Sequence, residues 1–448
     1  MHRAICFLSF ALLLVSPALG NDWTRFRGDG GSGTVPSLSH PKTWGAEENV
    51  SWTTDIPGGG WSSPIVVGER IYLTTADHPD YDGPVGFRGG VSRMRETGGK
   101  PEGDMTFQVH CLSLADGSKL WSKDAIVGEP PYGVHPSNTF ATESPASDGE
   151  RLFVYFGMIG KAMALDLATG KEIWRFDVGA YPTGNGFGTG SSIATHGGRV
   201  FVQCDNDRES FLVALAATDG RELWRADRRK GTSWATPVVW SADGNDQLIS
   251  CGPDTVTAYD PASGDVQWEL TGMGGSFSSS PVFDDDRLYF GNSGPRSRGP
   301  LVAVKAGSQG PHKLGREDSQ AVAWNQKGAG PGFASPVTHD GRVYVAGSPG
   351  VLACHDAETG EILWRERLPG AGSIVSSPWL CGDTMFIQDE NGKTFVVKVG
   401  AEYELLGTNE LPGLYWSTPS VAGNALLVRE ATKLHCIRAE ADRKRRGI

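Results

Sequence analysis

Short stretches of alternating apolar and polar residues recur along the chain, and each ends at a polar turn that contains glycine. In the clearest copy, 164–174 (ALDLATGKEIW), the turn ends at Gly170 and is followed by an apolar residue and Trp174. Alternation with a period of two predicts a half-buried strand, and the glycine supplies the positive φ that a tight hairpin needs. The other copies are 111–121, 214–224, 258–268 and 354–364. The pattern predicts a repeated strand–turn–strand unit.

A second signature precedes these hairpins: a serine or threonine, in most copies followed by proline, then two short strands separated by a polar turn. Its eight copies begin at Ser63, Ser144, Ser192, Thr236, Ser280, Ser335, Ser377 and Thr418. Each unit thus holds four short strands in about 40–50 residues, the length of a propeller blade. Four-stranded antiparallel sheets repeated around an axis predict an all-β, eight-bladed β-propeller.

The two ends of the chain predict how the ring closes. The eighth unit, from 418 to 438, has no tryptophan strand of its own, whereas a spare strand with Trp52 lies at 49–56, before the first unit. We expect this N-terminal strand to complete the last blade, because the pairing covers an open sheet edge. The propeller is therefore predicted to span 49–437.

Two units depart from the pattern. Unit five has an expanded hairpin at 307–320 before Trp324, and unit seven has its tryptophan replaced near Leu406. Residues 76–105 are an insertion between strands two and three of the first blade, and so long an irregular loop is usually functional or disordered.

The segments at the two ends have different characters. Residues 21–48 are a glycine-rich extension with Trp23, Phe26 and Trp44, which we expect to pack along the outside of the propeller. Residues 438–448 are basic, and we expect a solvated tail.

Residues 1–20 have the features of a cleaved secretory signal peptide. A positive start is followed by the apolar run 5–15 and by a small-residue cleavage pattern at 18–20. The run is too short to span a membrane as a helix. We therefore expect export to the periplasm or cell envelope. Export permits disulfides among the six remaining cysteines. Three of them, Cys111, Cys354 and Cys436, replace the alanine of the repeat and are better explained as small buried apolar residues.

Composition narrows the function classes. The chain has 448 residues, 61 Gly, 14 Trp and a net charge of −11. An acidic chain is not expected to bind nucleic acid generally, because such proteins carry a basic face. The sequence contains no HExxH metal pair, GxSxG motif or phosphate-binding loop, so motifs predict no catalytic set and no metal site.

The full pattern A-x-D-x-x-T-G-x-x-x-W, met by residues 164–174, resembles the repeat of pyrroloquinoline-quinone-type β-propellers. Segments 22–34 and 49–58 are also similar to exported repeat proteins of planctomycete-like bacteria. The resemblance implies the fold; it does not imply one function, because function resides in sites rather than in folds.

The resemblance implies two functional branches. Quinoprotein dehydrogenases oxidise alcohols or sugars with pyrroloquinoline quinone and Ca²⁺ near the propeller axis, and some members place a disulfide of adjacent cysteines against the quinone. This sequence has no adjacent cysteine pair, and no base or metal ligand is assigned. The other branch is the B-type scaffold subunit of the outer-membrane protein assembly machinery, which binds no quinone. Its lipid-anchor cysteine is missing here at the cleavage site.

Aromatic residues precede most of the eight starts, in loops that join one blade to the next. They are Trp61, Phe140, Phe187, Trp234, Phe277, Phe333 and Trp416. In a propeller these loops share one face with the insertion 76–105, so the rings are candidates for a binding platform around the channel mouth. The alternative is that they fill the spaces between blades as core side chains, and we slightly favour this alternative.

We therefore predict an exported, monomeric, non-catalytic scaffold that docks a protein or other ligand on this face. The insertion adds three candidate contact residues, Arg88, Arg93 and Arg95. No cofactor is assured. The alternatives are a quinone-dependent dehydrogenase, which would need quinone and Ca²⁺, and a carbohydrate-binding propeller.

Overall fold

Eight four-stranded antiparallel sheets stand in a ring and form an eight-bladed β-propeller. The structure is a computed structural model that describes residues 22–37, 40–86, 98–242, 244–293, 298–315 and 319–439. The predicted fold class is confirmed. Among the described residues, the helices are two short 3₁₀ turns, Asp29–Gly31 and Gly184–Gly186.

The strands of each blade run outward from the axis in chain order. Blade 1 holds β3 (Ile65–Val67), β4 (Arg70–Asp77), β5 (Met105–Ser113) and β6 (Lys119–Gly128). Blade 2 holds β7 (Ala146–Ser147), β8 (Arg151–Phe156), β9 (Lys161–Asp166) and β10 (Glu172–Asp177). Blade 3 holds β11 (Ala194–His196), β12 (Arg199–Cys204), β13 (Phe211–Ala216) and β14 (Glu222–Asp227). Blade 4 holds β15 (Val238–Ala242), β16 (Asn245–Gly252), β17 (Thr255–Tyr259) and β18 (Val266–Thr271).

The second half of the ring repeats this order, and its last blade takes one strand from the N-terminal part. Blade 5 holds β19 (Val282–Phe283), β20 (Arg287–Ser293), β21 (Arg298–Lys305) and β23 (Val322–Gln326). Blade 6 holds β24 (Val337–His339), β25 (Arg342–Gly347), β26 (Val351–Asp356) and β27 (Ile362–Arg367). Blade 7 holds β28 (Trp379–Cys381), β29 (Thr384–Gln388), β30 (Lys393–Lys398) and β31 (Glu404–Glu410). Blade 8 holds β32 (Ser420–Ala422), β33 (Ala425–Arg429), β34 (Lys433–Ile437) and β2 (Val50–Asp55).

The ring closes as predicted. Strand β2 pairs antiparallel with β34, with Trp52 opposite Cys436, and so forms the outer strand of blade 8. Two further strands extend blades beyond four. The expanded hairpin of blade 5 contributes β22 (Gly310–Lys313), which pairs with β18 and covers Trp268 of blade 4. Strand β1 (Thr34–Val35) pairs with β28, on the axial side of blade 7.

The repeat tryptophans lie between adjacent blades. Trp174 of blade 2 is buried, and its indole N–H donates to the Ala217 carbonyl of the next blade at 2.9 Å. The turn glycine of that blade, Gly220, lies against the same indole: a Cβ there would be 2.6 Å from Trp174 Cδ2. The same contact joins Gly117 to Trp52, Gly170 to Trp121, Gly264 to Trp224 and Gly360 to Trp324. The glycine therefore serves both the hairpin turn and the contact between blades.

We expect Gly220→Ala to destabilise the fold by about 3 kcal/mol. An alanine there would have to adopt a left-handed backbone conformation, and its methyl group would overlap the indole. Gly198→Ala is the matched control. Both glycines have φ +71°, but nothing lies within 4 Å of a Cβ at Gly198, so only the conformational cost of about 1–2 kcal/mol applies. Urea unfolding measures both variants. Equal losses would contradict the role assigned to the contact.

The eight residues that begin the blades are linked by hydrogen bonds near the axis. In seven consecutive steps, the backbone N–H of one residue donates to the hydroxyl oxygen of the next at 2.8–3.0 Å. The order is Ser63, Ser144, Ser192, Thr236, Ser280, Ser335, Ser377, Thr418. We call these residues the hydroxyl ring. At seven of the eight positions, all except Ser63, the hydroxyl satisfies a buried backbone donor of the neighbouring blade.

The expectation that the N-terminal extension packs along the outside is wrong for its first part. Residues 22–35, here called the axial segment, lie in the central channel and contact the innermost part of seven blades. The pairs, from blade 1 to blade 7, are Trp23–Val66, Thr24–Ser147, Arg25–Thr195, Gly31–Val238, Gly30–Phe283, Arg27–Pro336 and Thr34–Leu380. The segment lies in the channel because its large side chains are buried there: Trp23 is 2% exposed and Arg27 is 1% exposed.

Blade 7 lacks the tryptophan of the repeat. Gly407 stands opposite Val396 in this blade, at the register position that Trp174 occupies in blade 2. Leu406, near which the replacement was predicted, is 42% exposed and does not fill the space.

Trp44 of the N-terminal extension takes the place of the missing ring. It is 3% exposed, and its ring centroid is 5.8 Å from that of Phe386. In blade 2 the corresponding pair, Phe153 and Trp174, is 6.0 Å apart. The backbone N–H of Trp44 also donates to Asn409 Oδ1 at 3.2 Å. The extension thus supplies a channel segment and a tryptophan for blade 7, and β2, which follows it, supplies a strand for blade 8.

Two further expectations concern cysteines and membrane spans. The cysteines at 111, 204, 251, 354, 381 and 436 are free and buried, as small apolar residues would be. None of the helices in the described part of the chain has the length and apolar character needed to cross a membrane.

Candidate functional site

The loops that join neighbouring blades and the insertion of blade 1 emerge on the same face, here called the top face. Its seven aromatic residues differ in burial. Trp61, Phe140 and Phe277 are core side chains, at 4%, 1% and 0% exposure. Phe187, Trp234, Phe333 and Trp416 are half-buried. The indole of Trp61 is directed inward and donates to the Ser137 carbonyl at 3.0 Å.

The four half-buried aromatic residues and two buried neighbours, Trp61 and His135, form two groups rather than a continuous ring. The first group contains Trp61, Phe333 and Trp416; the second contains His135, Phe187 and Trp234. In the first, Trp416 stacks on Trp61 at 6.0 Å and lies 6.2 Å from Phe333. In the second, Phe187 lies 4.6 Å from His135 and 6.1 Å from Trp234.

The insertion of blade 1 extends along the top face in both directions from its own blade. On its outgoing arm, the Val85 N–H donates to the Pro136 carbonyl at 2.9 Å, and a Cβ added at Gly86 would lie 2.7 Å from Leu414. On its returning arm, Gly99 pairs with Val134. The described arms therefore contact loops that precede blades 2 and 8. The candidate residues Arg88, Arg93 and Arg95 lie outside the described residues.

A small polar cavity lies on the top face between blades 2 and 4. Its lining includes Tyr155, Thr189, Ser191, Asp205, Asn206 and Ser233. The cavity has a volume of about 20 Å³, enough for a single water molecule. Sequence motifs did not predict this site.

Asp205 and Arg228 form a buried bidentate ion pair beside this cavity. Arg228 Nε and Nη2 donate to Asp205 at 2.8 and 3.1 Å, and the two side chains are 0–2% exposed. Burial opposes the charge of Arg228, but the Asp205 carboxylate outweighs it and raises the pKa of Arg228. Gln203 donates to Asp205 at 2.9 Å and to the Cys251 carbonyl at 3.0 Å. The pair joins the ends of two strands of blade 3, and Gln203 and Arg228 link it to blade 4 through the Cys251 carbonyl and the Tyr259 hydroxyl.

Glu143 lies close to the same cavity and has no counter-charge at hydrogen-bond distance. It is 1% exposed, and a Cβ added at Gly157 would be 2.6 Å from Glu143 Oε1 and 2.6 Å from the Thr189 hydroxyl. Among the described residues, neither carboxyl oxygen of Glu143 has a hydrogen-bond partner. Burial raises the pKa of Glu143 to about 7, against a weaker opposing effect of Thr189.

Glu143→Gln is expected to stabilise the protein at pH 8. The raised pKa means that the folded state holds a proton that the unfolded state loses near pH 4.5, so stability falls as pH rises from about 4.5 to 7. The raised pKa lowers the free energy of unfolding at pH 8 by about 3 kcal/mol in total, and a glutamine, which does not ionise, avoids this loss. Urea unfolding from pH 4.5 to 8 should show a gain for the variant that grows through this window. The exposed Glu150→Gln is the control, and equal pH profiles of the two variants would contradict the assignment.

Sequence signals for these residues exist but are weak. The residue before each member of the hydroxyl ring is serine or alanine in seven copies, such as Ser62 and Ala334, and glutamate only at Glu143. That exception could have identified Glu143. Asp205 and its partner Arg228 are too distant in sequence for any motif to connect them.

Comparison with known proteins places the chain in a family. A family model described as outer membrane protein assembly factor BamB matches residues 106–321 and 313–403, which is more than half of the chain. The chain belongs to this family. It shares 21% identity with BamB from Yersinia pestis, over 70% of this chain and 76% of that protein.

The BamB-like family also has enzymes among its relatives. Polyvinylalcohol dehydrogenase from a Pseudomonas species is 23% identical over 72% of this chain, but the match spans only 47% of that protein, about half its length. Quinohemoprotein alcohol dehydrogenase from Comamonas testosteroni superposes with a TM-score of 0.60 at 12% identity, over 93% of this chain and 80% of that one. At these identities, the structural likeness shows the fold alone.

The top-face cavity of this BamB-like chain does not fit a quinone with Ca²⁺. Within the described ranges, no three His, Cys, Asp or Glu side chains are close enough together to hold a metal ion. The top-face cavity of about 20 Å³ is too small for a three-ring quinone. The carboxylate of Asp205 is already paired with Arg228. No reaction step is therefore derived through that group.

Proposed function

We propose that the protein is an exported, non-catalytic scaffold that docks a protein partner on its top face, as an assembly factor of the cell envelope. The observation that carries the proposal is the insertion of blade 1, whose arms reach loops before blades 2 and 8. The insertion thus covers a broad surface, whereas the cavity beside it has room for a single water molecule. A broad surface without a ligand-sized pocket suits a protein better than a small substrate.

Membership in the BamB-like family supports the same proposal, since the family description names an assembly factor. The channel supplies a further argument. Because the axial segment lies in the channel and contacts the innermost strands, we expect a partner to bind at the top face rather than to thread through the propeller.

The exposed apolar residue Val85 offers a direct test. Val85 on the insertion is 40% exposed, and Ile173 on the outer strand of blade 2 is 45% exposed. A photo-crosslinking amino acid at position 85 of the exported protein, in its own cells, is expected to capture a protein that position 173 does not. With that protein purified, Val85→Asp should weaken binding at least about tenfold, because a charge would be buried at the interface.

Ile173→Asp is the matched control for Val85→Asp and should bind within about twofold of the wild type. Equal capture from both positions, or equal loss in both variants, would contradict docking on the top face. The dehydrogenase alternative has its own test. After incubation with pyrroloquinoline quinone and Ca²⁺, quinone-dependent reduction of a dye by alcohols or sugars would overturn the scaffold proposal.

A further inference from the structure

The axial channel contains a second and larger cavity that the top-face proposal does not use. It has a volume of about 240 Å³ and lies between the axial segment and the innermost strands of blades 3 to 5. The axial segment contributes Arg25, Phe26 and Gly30 to its lining, and the blades contribute Thr236, Val238 and Ser280. The cavity is large enough for a ligand of several heavy atoms, in contrast to the top-face cavity.

Arg25 places a positive charge at this cavity, and some of its N–H donors have no hydrogen-bond partner. Its Nη1 donates to the Thr195 carbonyl at 2.8 Å, whereas its Nε is buried and has no hydrogen-bond partner among the described residues. Burial lowers the pKa of Arg25, and the carboxylate of Asp29 opposes this shift. Asp29 also lines the cavity, and it accepts a hydrogen bond from the Thr24 hydroxyl at 2.8 Å. Burying a guanidinium with unmet donors is costly unless an acceptor is present.

The hydroxyl ring adds two further donors. Thr236 and Ser280 each accept a backbone N–H, at 3.0 and 2.9 Å, from Ser192 and Thr236 respectively. A hydroxyl that accepts one hydrogen bond still has its own hydrogen to donate. Within the described part of the chain, neither hydroxyl donates to a protein acceptor, so both hydrogens are available at the cavity.

The remaining charges near the cavity are either engaged or positive. His196 on the wall is bonded through Nε2 to Asp246 at 2.7 Å, and Asp246 also accepts from Ser241. Arg27, two residues after Arg25, is fully buried and donates through Nη2 to the Pro336 carbonyl, while its Nε and Nη1 have no partner in the described ranges. The channel therefore presents more unused donors than acceptors.

We propose that the channel cavity binds a small organic carboxylate. The carboxylate group accepts from Arg25 and from the hydroxyls of Thr236 and Ser280, and the aliphatic part contacts Phe26 and Val238. A guanidinium with adjacent hydroxyl donors matches carboxylate geometry, and the apolar lining favours an organic anion over an inorganic one.

Isothermal titration calorimetry of the full mature chain with acetate and butyrate, at constant ionic strength, tests this site. Saturable binding is expected, with butyrate tighter than acetate because of the apolar lining. Arg25→Gln should weaken butyrate binding at least about tenfold, whereas Arg25→Lys should retain most of it. Arg229→Gln is the control: Arg229 pairs with Asp254 on the exposed surface, and its loss should leave binding unchanged.

The absence of saturable binding to the wild type, or undiminished binding in Arg25→Gln, would overturn the proposal. If Arg25→Gln does not fold, a crystal structure of the wild type soaked in butyrate decides the question. Density for the carboxylate between Arg25 and Ser280 is expected. Density elsewhere, or none in the cavity, would also overturn it.

Discussion

Deleting residues 22–48 is expected to leave the protein largely unfolded at room temperature, although every strand of the eight blades remains. The deletion removes two buried tryptophans, Trp23 and Trp44, at 2% and 3% exposure. Removing a buried tryptophan typically costs about 3–5 kcal/mol, so the two together cost about 6–10 kcal/mol. That is comparable to the whole stability of an ordinary domain, about 5–15 kcal/mol.

The deletion has a second effect, on the channel. The innermost strands of seven blades lose their contacts with the axial segment, and their apolar side chains, such as Val66 and Val238, become exposed to water. Circular dichroism and urea unfolding measure the result. Trp44→Ala alone should lose about 3–5 kcal/mol, because no other residue of the outer strand fills the space in blade 7.

A truncation after residue 439 is the control for the deletion, and it should unfold like the full mature chain. If the deletion variant unfolded at the same urea concentration as the control, residues 22–48 would contribute nothing to stability. They would then behave as a surface extension, which is what the sequence predicted. If the deletion cost no more stability than Trp44→Ala alone, the loss would come from blade 7 rather than from the channel.

Ring size and closure could be predicted because both depend on local, repeated signals. The starts at serine or threonine recur in all eight units and the hairpin glycine in five of them, and a missing outer strand in blade 8 matches a spare strand with Trp52. The axial segment has no counterpart elsewhere in the chain, so periodicity could not place it. Its position follows from long-range burial, which a single sequence does not display.

The candidate site was harder to predict for the same reason. The aromatic residues share a position in the repeat, but burial separates Trp61 and Phe277 from Trp416 and Phe333. Position in a repeat fixes the loop on which a side chain stands; the neighbouring blade decides whether it reaches solvent. Glu143 stands where the other seven units have serine or alanine, so the sequence alone could have identified it as unusual.

Arg228→Met is expected to destabilise the protein by about 3–5 kcal/mol. The substitution leaves the Asp205 carboxylate buried at 0% exposure, with Gln203 as its remaining side-chain donor. Breaking a buried ion pair from one side costs this much because the remaining charge is neither paired nor hydrated. The variant should also become more stable as the pH falls, since a protonated Asp205 no longer carries a buried charge.

Two comparisons separate the ion pair from simple loss of packing. The double variant Asp205→Asn/Arg228→Met should recover most of the stability, because replacing both partners removes the orphaned charge. Lys398→Met, which breaks an ion pair whose side chains are both 54% exposed, should cost less than about 1 kcal/mol. If the double variant were as unstable as Arg228→Met, packing of the Arg228 side chain would account for the loss. Recovery in the double variant would instead identify charge compensation within blade 3 as the role of Arg228 at the top face.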